Sequence, residues 1–333
     1  MQKKKKVKKM NEEMIQEQKE FDITELPGVG TSTAIKLVEA GYGNLLAIAV
    51  ASPKELSEAS GMTEAGSRKV INAARKAAHL DFESGDQLLA RRATVIKLTT
   101  GSKAFDAMMD GGFESRSITE CYGAFGSGKT ALAHQLAINV QLPREKGGAE
   151  GVVVWIDSEG TFRPERIKQI AEAAGLDPTE ALKNIKVARA YNSDHQMLLV
   201  DKVEELILQE KLSVKLVIVD GLMSHFRSEF YGRGQLADRQ QKLNRHMHDL
   251  IKLADLHNLI VYVTNQVSSD PAAFFGDPTK PIGGNIVGHA SAFRIYLRKG
   301  KKGSRVAKLV DAPNLPDQES AFMIAEAGIT DIE

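Results

Sequence analysis

The sequence predicts an α/β protein: a central, mostly parallel twisted sheet, preceded by a small all-helical domain. Three observations carry that expectation. A glycine-rich loop, Gly123-Ala124-Phe125-Gly126-Ser127-Gly128-Lys129-Thr130, stands between an apolar run and a helical run. Beyond residue 97, short apolar segments alternate with amphipathic ones, as strands alternate with crossover helices. Residues 20–80 look helical instead and hold no long β-branched run.

The chain opens on Lys3, Lys4, Lys5, Lys6, Lys8 and Lys9. Like charges so crowded repel one another, so residues 1–19 are expected to form a disordered basic tail. The tail could brush phosphates, serve as a nuclear address, or simply stay solvated. In the small domain (20–80), Leu26-Pro27-Gly28-Val29-Gly30 precedes a helical stretch, Thr31–Glu39. This is the look of a helix-hairpin-helix turn, in which Gly28 and Gly30 leave backbone N–H groups open to a duplex phosphate. A packing module that touches no DNA is the alternative. A degraded second copy is suggested near Ser60-Gly61-Met62. Residues 81–96 form a linker containing Phe82-Glu83-Ser84-Gly85.

The core is assigned to 97–333. Its candidate strands are Ser117–Cys121, Gly151–Ile156, Ile185–Ala188, Lys215–Val219, Leu259–Thr264, Phe293–Leu297 and Val306–Val310. The last two are separated by the basic spacer Lys299-Gly300-Lys301-Lys302-Gly303-Ser304, read as a hairpin loop. Pro164–Ala174 and His195–Gln209 read as helices packed between strands.

The loop at 123–130 has the spacing Gly-x-x-x-x-Gly-Lys-Thr, which cradles phosphates. Many donors must converge on a triphosphate, and backbone N–H groups reach it only where side chains stand aside. Gly123, Gly126 and Gly128 allow that approach. Lys129 is placed to reach the β/γ-phosphates and the Thr130 hydroxyl to bind Mg²⁺.

In an open α/β sheet, ligands sit at the carboxyl ends of the strands. There the sequence offers Asp157 and Glu159, then Asp220, then Asn265 and Gln266. Asp220 is the candidate for the metal-side carboxylate. Glu159 is a candidate general base, with Asp157 competing for that role. Gln266 could sense the γ-phosphate and pass its state to the chain behind it.

Two stretches suit a single-stranded polynucleotide. Arg227, Arg233 and Arg239 lie just beyond Asp220, with Phe230 and Tyr231 offering stacking faces and Gly232 and Gly234 making the stretch pliable. The second runs from Val267 to Gly284, ending in Gly283 and Gly284. A long loop of this kind in a compact domain is usually functional or disordered.

The composition is that of a soluble globular protein, 42% hydrophobic and 26% charged, with a net charge of +1. Nucleic-acid contacts must therefore come from local patches. The lone Cys121 excludes a disulfide framework and fits a reducing, cytoplasmic compartment. No apolar run reaches membrane-spanning length.

Taken together, these segments resemble the archaeal RadA recombinases, within the RecA-type strand-exchange family. The resemblance rests on residues 123–130 and on Trp155-Ile156-Asp157-Ser158-Glu159-Gly160-Thr161-Phe162-Arg163-Pro164-Glu165-Arg166. It rests also on His225-Phe226-Arg227-Ser228-Glu229, Val263-Thr264-Asn265-Gln266-Val267, Phe274-Phe275-Gly276-Asp277-Pro278-Thr279, Pro281-Ile282-Gly283-Gly284-Asn285 and Tyr296-Leu297-Arg298-Lys299-Gly300. It implies a RecA-type P-loop ATPase core and a helix-hairpin-helix domain. It further implies a DNA-dependent ATPase whose ATP- and Mg²⁺-bound protomers form helical filaments, or rings, on DNA. Homologous pairing and strand exchange in recombinational repair would follow, with recombination mediator proteins as further partners. By the same resemblance Glu159 is the catalytic glutamate, Arg166 lies against the adenine, and Gln266 and His289 read the γ-phosphate. Asp311-Ala312-Pro313-Asn314-Leu315-Pro316 caps the ATP of a neighbouring subunit, with Asp311 and Pro316 in the cofactor set. The stretches after Asp220 and Gln266 are the two DNA-binding loops. Phe82 would dock on the next protomer, although Gly85 stands where the family's motif has Ala. A regulatory DNA- and ATP-binding relative and a hexameric motor share this core. The presence of the small domain and both loops counts against the regulator.

Overall fold

The computed structural model describes residues 22–78, 82, 84–230, 232–269 and 279–332. The basic tail, Glu83, Tyr231, the Arg233 side chain and residues 270–278 lie outside the described residues. The chain divides into two compact units, the first ending at Arg91 and the second beginning at Arg92.

The first unit is helical. A 3-10 turn at Ile23–Glu25 is capped by the Asp22 carboxylate, which accepts from the Thr24 N–H at 2.9 Å. The chain then turns at Gly28, whose φ is +90°, and Gly30 caps α1 (Thr31–Glu39) through its backbone. Asn44 caps α2 (Leu45–Val50). Ser52 and Glu55 form a reciprocal capping box on α3 (Pro53–Ser60), and Thr63 caps α4 (Glu64–Ala77). Each start is thus specified locally. Leu37, Ile48, Leu56, Val70 and Ile71 close the core between these helices. Phe82 is fully exposed, and Gly85 begins α5 (Gly85–Arg92) with open space where a Cβ would stand.

The second unit runs in order through β1 (Lys97–Leu98), α6 (Lys103–Met108), β2 (Phe113–Glu114), β3 (Ser117–Tyr122), α7 (Lys129–Asn139), β4 (Val152–Asp157), α8 (Pro164–Ala174), α9 (Pro178–Lys183) and β5 (Ile185–Arg189). It continues through α10 (Ser193–Leu208), β6 (Val214–Asp220), α11 (Ser224–Glu229), α12 (Leu236–Leu256), β7 (Ile260–Asn265), β8 (Val267–Ser269) and β9 (Thr279–Pro281). It ends with α13 (Gly284–Ala290), β10 (Phe293–Lys299), β11 (Arg305–Asp311), β12 (Gln318–Ala325) and β13 (Gly328–Asp331).

Among the described residues, nine strands form one sheet in the order β13-β12-β11-β10-β3-β7-β6-β4-β5. From β10 to β5 the pairs are parallel; β11, β12 and β13 add antiparallel strands at one edge. Both faces are covered, so the parallel strands are apolar throughout rather than alternating with polar residues. Side chains still alternate between two clusters. Trp155, Ile218 and Tyr262 pack on the face that holds α7 and α8, while Ile156, Val219 and Val263 pack with Leu243, Met247 and Leu250 of α12. Cys121 lies in the first cluster, and burial pushes its thiol up to about 12.

Several expectations change here. Strands β4 and β6 run one residue further than the apolar pattern suggested, so Asp157 and Asp220 close the strands rather than follow them. The arginine stretch is not one pliable loop. Arg227 sits on α11 and Arg239 in the first turn of α12, a 21-residue helix whose amphipathic pattern holds it against the sheet. The stretch from Val267 to Gly284 is also narrower than read. Its ends pair as β8 and β9, Val267 opposite Pro281, and Gly283 and Gly284 already belong to the start of α13. The basic spacer does join two antiparallel strands, β10 and β11.

Candidate functional site

The parallel register aligns the strand ends. Asp157 lies opposite Asp220, Cys121 opposite Thr264, and Tyr122 opposite Asn265. Each strand leads into a turn at this edge, and the turns supply the site.

The glycine loop follows β3 and feeds α7, whose start is capped by Gly128. Gly123 must be glycine for a steric reason, because a Cβ there would lie 2.1 Å from the Leu297 carbonyl oxygen. Phe125 is fully exposed. The Lys129 ammonium donates to the Gly123 and Ala124 carbonyls at 2.8 and 3.1 Å. Burial lowers its pKa, while Glu159 and Asp220 pull the other way. The Ser127 hydroxyl is buried without a hydrogen-bond partner among the described residues, in keeping with a cradle built for an incoming oxygen.

Asp220 is the electrostatic centre. Three hydroxyls donate to it: Thr161 to Oδ2 at 2.5 Å, and Thr264 and Thr130 to Oδ1 at 2.6 and 3.3 Å. Burial raises its pKa, and the Thr161 and Thr264 bonds counter that rise. Among the described residues no three His, Cys, Asp or Glu side chains converge as a metal cage. The donor set instead is one carboxylate with a neighbouring threonine hydroxyl, hard oxygens of the kind Mg²⁺ takes alongside phosphate. These residues fit that ion.

Asp157 and Glu159, two candidates for one role, are separated by their partners. Asp157 Oδ1 accepts the backbone N–H groups of Glu159, Gly160 and Thr161 at 3.1, 2.7 and 3.2 Å, and Arg189 approaches the same oxygen at 3.4 Å. It organises the loop. Glu159 Oε1 points the other way and accepts from the Ser224 hydroxyl at 2.8 Å and the Gln266 amide at 2.7 Å. Gly221 makes room, since a Cβ there would stand 2.6 Å from Glu159 Cγ. At a φ of +92° that position suits glycine on backbone grounds as well.

His134 was invisible to sequence reasoning. It lies one turn beyond Thr130, packed on Trp155 and Phe162. The Thr130 carbonyl can only accept, so Nδ1–H donates to it at 2.8 Å, and Nε2 accepts the Arg163 N–H at 3.0 Å. Only the neutral ring can make both bonds. Burial brings its pKa down to about 4. Thr161, Ser224, Thr264 and Tyr262, whose hydroxyl donates to the Lys129 carbonyl at 2.9 Å, were missed too. No spacing signal marks them, because only the strand register brings them to this edge.

Arg166, on α8, donates to the Ala325 and Glu326 carbonyls at 2.5 and 2.7 Å, so the β12–β13 turn holds it. His289 is exposed on α13, and Asp311 and Pro316 are exposed at and after the end of β11. Within one chain these three do not join the groups that meet Glu159 and Asp220. Arg227 is exposed and Arg239 half-buried.

Beside β5, a groove of about 220 Å³ is lined by Ile156, Val187, Ala188, Leu199, Val203 and Leu206. β5 ends the sheet, with no strand on its outer side among the described residues.

Residues 91–332 match the Rad51 family, and residues 21–76 match the SAM-like helix-hairpin-helix tandem family. The chain is 51% identical over 312 residues to the DNA repair and recombination protein RadA of Aeropyrum pernix, covering 94% of this chain and 97% of that protein.

Two outcomes follow from the geometry. Thr161→Val removes a hydroxyl bond from Asp220 while keeping the shape. It is expected to raise the Mg²⁺ concentration needed for half-maximal nucleotide hydrolysis by roughly 10–100-fold, read by titrating the metal, with the fold intact by circular dichroism. His134 is neutral when folded down to about pH 4 but takes a proton near pH 6.5 when unfolded. Stability is therefore lost as pH falls from about 6.5 to about 4, by at most ~1.4 kcal/mol per pH unit from this group. Urea denaturation across that range should show a shallower decline in His134→Gln.

Proposed function

The chain belongs to the Rad51 family and is a homologue of RadA, and from that premise we propose that it is an ATP-driven recombinase which assembles on single-stranded DNA and exchanges strands. Members of this family use ATP and bind DNA. No described helix is long and apolar enough to cross a membrane.

The observation that carries the reading is the Glu159 contact. One carboxylate oxygen accepts from Ser224, at the head of α11, and from Gln266, at the foot of the β8–β9 ribbon. The first leads to Arg227, Arg233 and Arg239, the second to residues 270–278 and then Gly283 and Gly284. A glutamate that orients the attacking water thus touches the residues that lead into both stretches proposed to hold DNA. A γ-phosphate there would change what Glu159 and Gln266 bond to, and so order or release those stretches.

The backbone from Gly123 to Gly128 would cradle the phosphates, with Lys129 on the β/γ oxygens. Thr130 and Asp220 would hold Mg²⁺, which supplies charge neutralisation at the transferring phosphoryl. Glu159 serves as general base, and the hydrogen bonds from Ser224 and Gln266 fix its direction. Arg166 would face the adenine. His289 would reach the γ-phosphate, and Asp311 and Pro316 the nucleotide of a neighbour, since the chain's own fold leaves them exposed. Gly28 and Gly30 would meet duplex phosphates.

Self-assembly has a physical route. Phe82 is an exposed aromatic, and β5 presents a free edge beside an apolar groove. A Phe82 from another copy would fill that groove while its flanking backbone extends the sheet. The fold does not require glycine at Gly85, so its absence of a methyl weakens only the docked state. A cytoplasmic setting with mediator proteins completes the reading.

Electron microscopy with single-stranded DNA and a non-hydrolysable ATP analogue should show regular helical polymers. Lys129→Ala should abolish ATP-driven joint-molecule formation in a D-loop assay while the protein stays folded. Wild-type exchange by that variant would overturn the site. Phe82→Ala is expected to shorten or abolish polymers by light scattering, leaving the melting temperature unchanged because the Phe82 side chain is fully exposed.

A further inference from the structure

Gln196 sits in the first turns of α10 with no exposed surface, bonded to three elements at once. Its orientation is forced. The Leu222 carbonyl can only accept, so the amide NH₂ faces it at 3.1 Å and Oε1 takes the Ser158 hydroxyl at 2.9 Å. The same NH₂ reaches His246 Nε2 at 3.1 Å, which makes that nitrogen an acceptor. The ring hydrogen is then on Nδ1, buried without a partner among the described residues. Ser158 precedes Glu159, Leu222 lies just past Asp220, and His246 is in the middle of α12 with its ring 5.6 Å from Phe226 of α11.

The start of α10 also grips both sides of the arginine-bearing stretch. Glu229, at the end of α11, accepts the Ser193 N–H at 2.7 Å and contacts the Ser193 hydroxyl. Asp194 pairs with Lys242 of α12 at 2.7 Å, and the Lys242 ammonium lies 5.2 Å from the centre of the Phe230 ring. Stability alone does not explain the buried part of this arrangement. A network that strands a donor on His246 is worse than apolar packing of the same shape.

We propose that Gln196 is a positioning residue that ties the Glu159 loop to α11 and α12, so that single-stranded DNA held between those helices sets the rate of ATP hydrolysis. This rests on the recombinase reading above. Two arrangements of one hydrogen-bonded hub bias both ends, and such coupling must act in both directions. Nucleotide should therefore alter DNA affinity through the same residue.

The test uses the full chain and compares Gln196→Met, which keeps the bulk but makes no such bonds, with the gentler Ser158→Ala. ATP turnover is measured with and without a poly-dT oligonucleotide, and oligonucleotide affinity with and without a non-hydrolysable ATP analogue. Expected are DNA-free turnover near that of the parent, a stimulation by DNA reduced at least about five-fold, and a matching loss of nucleotide-dependent affinity. The double variant should be no worse than Gln196→Met, because both changes break one hub. Parent-like stimulation in either folded variant overturns the inference. So does an equal loss of turnover with and without DNA accompanied by a lower melting temperature, the mark of a packing role alone. If the parent itself shows no stimulation by DNA, the recombinase reading fails first, and the two failures are distinguishable.

Discussion

One buried carboxylate governs the carboxyl end of the parallel strands. Asp220 ends β6 in the middle of the parallel strands, where desolvation opposes its charge. Three threonine hydroxyls, one each from α7, the loop after β4, and β7, converge on its two oxygens. A buried charge is tolerable only when hydrogen-bonded, so the three elements must hold their places together. The parallel register that puts Thr264 beside Cys121, and Asp220 beside Asp157, is the condition for all of it.

From that centre the site divides its labour by direction. Asp157 turns inward and gathers backbone N–H groups, which shapes the loop that presents Glu159. Glu159 turns outward to Ser224 and Gln266. His134 locks the far end of that loop to α7, and its neutrality is enforced by burial and by what its two nitrogens face. Two acidic residues two positions apart thus do different jobs because their surroundings differ, not because their chemistry does.

Much of this was legible in the sequence, and the reason is chemical. The glycine loop, with Lys129 and Thr130, must have those residues at that spacing, and buried parallel strands must be apolar runs. Helix α8 was bounded by Pro164 and by the glycine after Ala174, signals that need no tertiary context. What escaped depends on distance in space rather than in sequence. Thr161, Ser224 and Thr264 look like ordinary polar residues until the sheet brings them to one edge. Helix α12 was hidden because its first turn carries the charged and polar residues that also suit a nucleic-acid loop. Strands β12 and β13 were overlooked because they are antiparallel, half-exposed and mixed in composition. The pairing of β8 with β9 needed the knowledge of where a long connection returns.

The single sulfhydryl has a practical side. Cys121 is sealed in the layer between β3 and α7, and its thiolate is out of reach at neutral pH. For maleimide reagents the folded wild type therefore behaves as though it had no cysteine. One engineered surface cysteine would accept a fluorophore selectively, with no need to disturb the strand beneath the glycine loop by first removing the native one.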